Sequence, residues 1–190
     1  MSRLLIKVRK VRWQKALPSF VAPGDITADC LMDLNVTENS MSVWELTEND
    51  ANLKRVLTAL AANREFAASI DYLIFDAQIP ARLALKLRHN PGNTPDKGAN
   101  EAWHRDLVEI SGRKLAGLAS DVFHRSEPPK RCSEKDIVKM LKEAVERNEI
   151  DRSKLNDKLL REIQSGPLSL PVRVRRMLRH LLLKIQKAWH

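Results

Sequence analysis

Carboxylates, histidines and a dense set of cations are the side chains of this sequence with chemistry to offer. Asp25, Asp29 and Asp33 recur every four residues, a spacing that invites a metal reading. On a strand rising roughly 3.3 Å per residue, such positions stand about 13 Å apart, too far to share one ion. They are therefore expected to line a solvated face. Asp76 closes an apolar run and is either a site residue or the N-cap of the next helix. None of the five histidines forms an HxxxH or HExxH pair, and neither Cys30 nor Cys132 has a CxxC partner. No metal and no cofactor is expected on these patterns. Phosphate-cradling GxxxxGK[ST] and GxGxxG loops are absent, as is the GxSxG nucleophile elbow. The segment from His89 to His104, with Asn90 and Arg105, carries the polar groups an unrecognised catalytic site near Asp76 would need.

The cations are the stronger signal. From Pro171 onward Val174, Met177, Leu178, Leu181, Leu182, Ile185 and Trp189 form one helical stripe. The opposite face carries Arg173, Arg176, His180, Lys184 and Lys187, flanked by Arg175 and Arg179, and nothing acidic occurs after Gln164. A basic amphipathic helix suits phosphates, an anionic surface or an acidic protein. A second basic stretch lies at the other end of the chain, where Lys7, Arg9 and Arg12 punctuate an apolar run. The spacing from Arg175 to His180 is similar to the short Arg-x4-6-His signature of HEPN ribonucleases. Here Arg176 stands where that signature has an uncharged polar residue, and the family is not carried over.

Charge is distributed unevenly. Residues 1–24 hold six basic and no acidic side chains, residues 25–126 hold eleven basic against fifteen acidic, and residues 127–190 hold sixteen against nine. A mildly acidic middle between two basic ends argues for an anionic partner, a statement about association and not about fold. With 43% hydrophobic and 30% charged residues, the composition is globular and not disordered. No apolar run approaches the roughly 18 residues of a membrane span, and Leu4 to Ile6 is too short for a signal-peptide core. Two cysteines give no disulfide framework, so a reduced cytoplasmic setting is expected.

The elements that must position these groups follow from periodicity. Ile26, Ala28, Cys30, Met32 and Leu34 alternate with mostly polar neighbours, which predicts a half-buried strand over Asp25 to Leu34. Met41 to Leu46 and Ile70 to Phe75 are further strands, and Leu4 to Trp13 is expected at a sheet edge kept soluble by its charges. Leu53, Val56, Leu57, Leu60 and Ala61 predict a helix after Asn49-Asp50. Helices are also predicted over Asp76 to Arg88 and Glu101 to Arg125, the second broken near Ser111-Gly112, with a loop from His89 to Asn100 between them. After the linker Ser126 to Cys132, a capping-box-like Ser133–Asp136 pair opens a purely helical remainder.

The expected fold is α+β: a small, mostly antiparallel sheet with packed helices, then a C-terminal three-helix segment. The expected division is a domain over residues 1–126 and a helical segment over 127–190, either packed on the first as one unit or standing apart. The function this supports is a non-enzymatic basic protein contacting nucleic-acid phosphates with little sequence specificity, through Lys7, Arg9, Arg12 and the C-terminal cations. One alternative is an adaptor or immunity-type subunit docking on an acidic protein partner. The other is an enzyme centred on Asp76 and the His89–His104 loop.

Overall fold

The fold is α+β, built on a six-stranded sheet in which every neighbouring pair is antiparallel. The computed structural model describes residues 2–14, 18–22 and 24–165. Its strands are β1 (Arg3–Val8), β2 (Met41–Leu46), β3 (Ile70–Asp76), β4 (Lys86–His89), β5 (His104–Val108) and β6 (Lys130–Cys132), in the order β4-β5-β2-β1-β3-β6. The helices are α1 (Ala28–Asp33), α2 (Leu53–Ala62), α3 (Gln78–Arg82), α4 (Lys97–Trp103), α5 (Gly112–Arg125), α6 (Glu134–Glu146) and α7 (Asp157–Ser165).

Helices cover both faces. Leu5, Trp44, Leu46, Ile70, Tyr72 and Ile74 point to one face and pack on α2, α6 and α7 through Val56, Leu57, Ile137, Leu141 and Leu159. Leu4, Ile6, Val8, Val43, Leu73 and Phe75 point to the other, against Cys30 of α1, Ile79 of α3 and Leu118, Val122 and Phe123 of α5. The alternation along each strand assigns successive side chains to opposite cores. β1 and β3 consequently read as nearly continuous apolar runs, as strands buried on both faces do.

Several sequence expectations are met. β2 and β3 form over the two further stretches expected as strands, and α2 buries Val56, Leu57 and Ala61 as its periodicity requires. Ser133 caps α6 by accepting the Asp136 N–H at 3.1 Å, and its hydroxyl donates to the Asp136 carboxylate at 2.6 Å.

Four expectations are corrected. Asp25 to Leu34 is not a strand: α1 forms there, with the Thr27 hydroxyl accepting the Cys30 N–H. Ile26, Cys30 and Leu34 are four apart, a spacing that satisfies both the strand and the helix period. Ala28 and Met32, which strand alternation would bury with them, are exposed. β1 is not an edge strand; it lies between β2 and β3, and its basic tail turns away in a 3-10 turn over Lys10–Trp13. The helix expected over Asp76 to Arg88 is reduced to α3, after which Ala84 takes a left-handed φ of 51° and β4 begins. Glu101 to Arg125 is interrupted by β5, whose inward His104 and Asp106 are polar and so hid its alternation.

The segment Ser126 to Cys132 runs into the sheet as β6, pairing Lys130–Cys132 with Ile70–Tyr72. α6 then shares the core of α2. The C-terminal stripe and its cations Arg173, Arg175, Arg176, Arg179, Lys184 and Lys187 lie outside the described residues. No helix among the described residues is long and apolar enough to cross a membrane.

Candidate anion-binding cleft

Strand register lines up one row of polar side chains across the face that α2 covers. Ser42 of β2 stands opposite Asp106 of β5, which stands opposite Arg88 of β4. On the other side Lys7 of β1 is level with Tyr72 of β3. The β1–β2 ladder ends at Leu5–Trp44, and Lys7 and Ser42 lie two residues beyond it, one on each strand. Beside these residues opens a cleft of about 340 Å³, lined by Lys7, Asp33, Asn35, Ser42, Leu60, Asn90 and Asp106 among others. The turn that forms one wall reverses through Glu38 and Asn39, both at positive φ, between the mutually bonded Thr37 and Ser40.

The two carboxylates of the cleft already have partners. Asp106, its side chain 7% exposed, accepts from the Asn90 amide, from the Ser42 hydroxyl at 3.3 Å and faces Arg88 at 3.7 Å. Asp33, its side chain 6% exposed, accepts the Arg9 backbone N–H at 2.6 Å and the Trp13 indole N–H at 2.9 Å. The guanidiniums of Arg12 and Arg9 approach the same carboxylate at 3.7 and 4.0 Å. Asp33 and its neighbours thus bolt α1 to the end of β1.

Lys7 is different. No ion pair joins it to a carboxylate among the described residues. Partial burial on the sheet face holds its amine below the ordinary value, and the nearby cations Arg64 and Arg9 push the same way against the opposing field of Asp33. Arg64 donates to the Ala68 and Ser69 carbonyls at 3.0 and 3.2 Å. Three cations therefore share a local positive field at this end of the sheet.

The sequence-predicted residues are dispersed. Of the basic N-terminal set, Lys7 lines the cleft, Arg9 keeps a largely exposed guanidinium, and Arg12 is turned toward Asp33. Asp76 pairs with Arg3 at the opposite end of β1, and its carboxylate accepts the Gln78 N–H at 2.8 Å at the entry to α3. Three strand spacings separate it from His104, roughly 15 Å across the sheet. Asp76 and the His89–His104 segment are not brought together.

That segment is instead tightly tied. His104 is buried, donates from Nδ1 to the Asn90 carbonyl and meets Trp44 edge-on with ring centroids 5.0 Å apart. A Cβ on Gly92 would lie 3.0 Å from the His104 ring, which is why a glycine passes there. Asn100 and Thr94 bond each other twice, at 2.7 and 2.8 Å. Asp96 caps α4 through the Ala99 N–H and takes a bidentate pair from Arg55 at 2.9 and 3.0 Å. Ser42 and Asp106 carried no sequence signal, and Asn90 was singled out only with the histidine loop, because register and loop closure alone set the three beside the cleft of Lys7.

Among the described residues no three His, Cys, Asp or Glu side chains converge as ligands for a metal ion. Compared with known protein families, with curated proteins and with solved structures, the chain matches none of them.

Proposed function

We propose that this chain is a non-enzymatic binding protein that contacts nucleic-acid phosphates with little sequence specificity. The observation that carries this reading is Lys7, a cation with no carboxylate partner among the described residues, reinforced by Arg9 and Arg64 while Asp33 and Asp106 are occupied by their own donors. A polyanion bound there relieves cation–cation repulsion instead of competing with an internal ion pair. The basic face of Arg173, Arg175, Arg176, Arg179, Lys184 and Lys187 adds to the same attraction on sequence grounds. Phosphate contacts of this kind position a ligand without reading bases.

The test is the salt dependence of binding to duplex DNA and duplex RNA. Wild-type affinity should fall steeply with salt and vary little between unrelated sequences. Replacing Arg173, Arg176, Lys184 and Lys187 by Gln should make the log–log slope shallower by roughly 0.9 per lost duplex DNA contact. Wild-type protein with no salt-sensitive binding to either duplex would remove this reading.

The second reading, docking on an acidic protein partner, draws support from Val11 and Met32, which are 70% and 74% exposed on the packed pair formed by the 3-10 turn and α1. Affinity through such an apolar patch would resist salt. An enzyme centred on Asp76 has less support, because that carboxylate serves the entry of α3 far from the histidines.

A further inference from the structure

We propose that the cleft beside Lys7 holds one nucleoside monophosphate unit, its phosphate at the Lys7 ammonium and its sugar and base against the uncharged walls. This rests on the phosphate-binding reading and says what is bound beyond the phosphate.

The charge of the cleft sets the ligand. Asp106 is engaged by Asn90, Ser42 and Arg88, and Asp33 by Arg9, Arg12 and Trp13, so the charge of each carboxylate is offset in part by its own donors. Lys7 remains as the one charged lining group without a partner among the described residues. One exposed cation at the mouth of the cleft suits one phosphate. A longer polyphosphate would need further cations within the same walls.

The rest of the lining sets the ligand's body. Asn35, Thr37, Ser40 and Ser42 offer uncharged donors and acceptors, and Leu60 with Trp44 gives an apolar wall. A body with hydroxyls, ring edges and one apolar face matches that mixture. A volume of about 340 Å³ is at the small end of ligand sites, which run from roughly 300 to 1,000 Å³. It admits one nucleotide and no more. The ligand is therefore either a free nucleoside monophosphate or a 5′-phosphorylated strand end.

Calorimetric titration of the full chain with AMP, GMP, CMP and UMP separates these cases, with inorganic phosphate and glucose 6-phosphate as comparisons. Nucleoside monophosphates should bind more tightly than either comparison. Lys7→Gln should weaken them about tenfold, as loss of a charge-assisted contact does. Arg113→Gln, which removes an exposed cation from α5 on the other face of the sheet, should change nothing. Asn35→Trp fills the cleft and leaves every cation in place. It should abolish mononucleotide binding while the salt slope for duplex DNA stays as in wild type. Unchanged thermal melts for Lys7→Gln and Asn35→Trp would show that neither acts by unfolding.

Displacement of the nucleotide by a 5′-phosphorylated oligonucleotide, and not by the 5′-hydroxyl form, would assign the site to strand ends. Displacement by neither would assign it to the free nucleotide. The inference fails if nucleoside monophosphates bind no better than inorganic phosphate, or if Asn35→Trp leaves their affinity intact, even where duplex binding persists. If mononucleotides bind as described and duplexes do not, the cleft stands and the nucleic-acid reading falls.

Discussion

The indole N–H of Trp13 donates to Oδ2 of Asp33 at 2.9 Å, and the same oxygen accepts the Arg9 backbone N–H at 2.6 Å. One carboxylate on the last turn of α1 thereby satisfies a buried tryptophan and the main chain where β1 ends. Removing it strands the indole N–H of buried Trp13, while the Arg9 N–H, at an exposed position, turns to water. Asp33→Ala should cost roughly 2–4 kcal/mol, the penalty for one stranded buried donor plus the lost charge-assisted bonds. Met32→Lys, one residue away, should change stability by no more than about 0.5 kcal/mol, because that side chain is in water. Urea unfolding of the two variants checks this; a larger loss for Met32→Lys would restore the strand reading of residues 25–34.

Asp96 and Asp76 make a matched pair of tests for the loop between β4 and β5. Asp96 is fully buried, caps α4 and holds Arg55 at both oxygens. Asp96→Ala should cost about 2–4 kcal/mol, from the lost cap of α4 and the lost charge-assisted bonds from Arg55, whose guanidinium is itself part-exposed. Asp76→Ala forfeits one local bond to the Gln78 N–H and should cost about 1 kcal/mol. Equal thermal shifts for the two would contradict the assignment of Asp96 as the anchor of the loop.

Asp71 predicts how stability responds to acid. Its carboxyl is held below the ordinary range, chiefly by the bidentate bond from Arg131 and then by the Lys10 backbone N–H, against the opposing effect of partial burial. A depressed folded-state value means the unfolded chain takes up the proton first as pH falls. The stabilisation is therefore complete above the unfolded carboxyl value of about 4 and is lost as pH drops through the lower folded value. Asp71→Asn should show a shallower fall in melting temperature between pH 5 and pH 2 than wild type, measured by circular dichroism at matched ionic strength.

Lys7 predicts a response at the alkaline end. Its amine is held down by desolvation, Arg64 and Arg9, so the folded chain releases that proton before the unfolded chain does. Its contribution to stability accordingly increases as pH rises from the folded value toward the unfolded value of about 10.4. Lys7→Met removes a cation that opposes folding at neutral pH, so its melting temperature should equal or slightly exceed that of wild type. Its melting-temperature advantage should shrink as pH is raised toward 10. A clear drop in stability at pH 7 would mean that Lys7 has a structural partner.

The sequence by itself determined those elements whose pattern is local and unambiguous. A short run of apolar β-branched and aromatic residues made β3, the 3.6-residue stripe made α2, and Ser133 with Asp136 started α6. The α+β class followed from the same periods. It also singled out Lys7, through charge alone. Tertiary structure decided the rest, each time because the deciding contact is remote in sequence. Ile26, Cys30 and Leu34 fit two periods equally, and packing of α1 against the 3-10 turn and α5 selected the helix. β5 hid its alternation because its inward residues, His104 and Asp106, are polar groups satisfied by the loop before α4 and by Ser42. β1 looked like an edge because it ends in cations; strand order, which no local pattern encodes, made it central. The same order set Ser42 and Asp106 beside the cleft of Lys7 and carried Asp33 back to Arg9 and Arg12. Of the three N-terminal cations legible from the residues, Arg9 and Arg12 thereby came to face Asp33, while Lys7 forms no ion pair among the described residues.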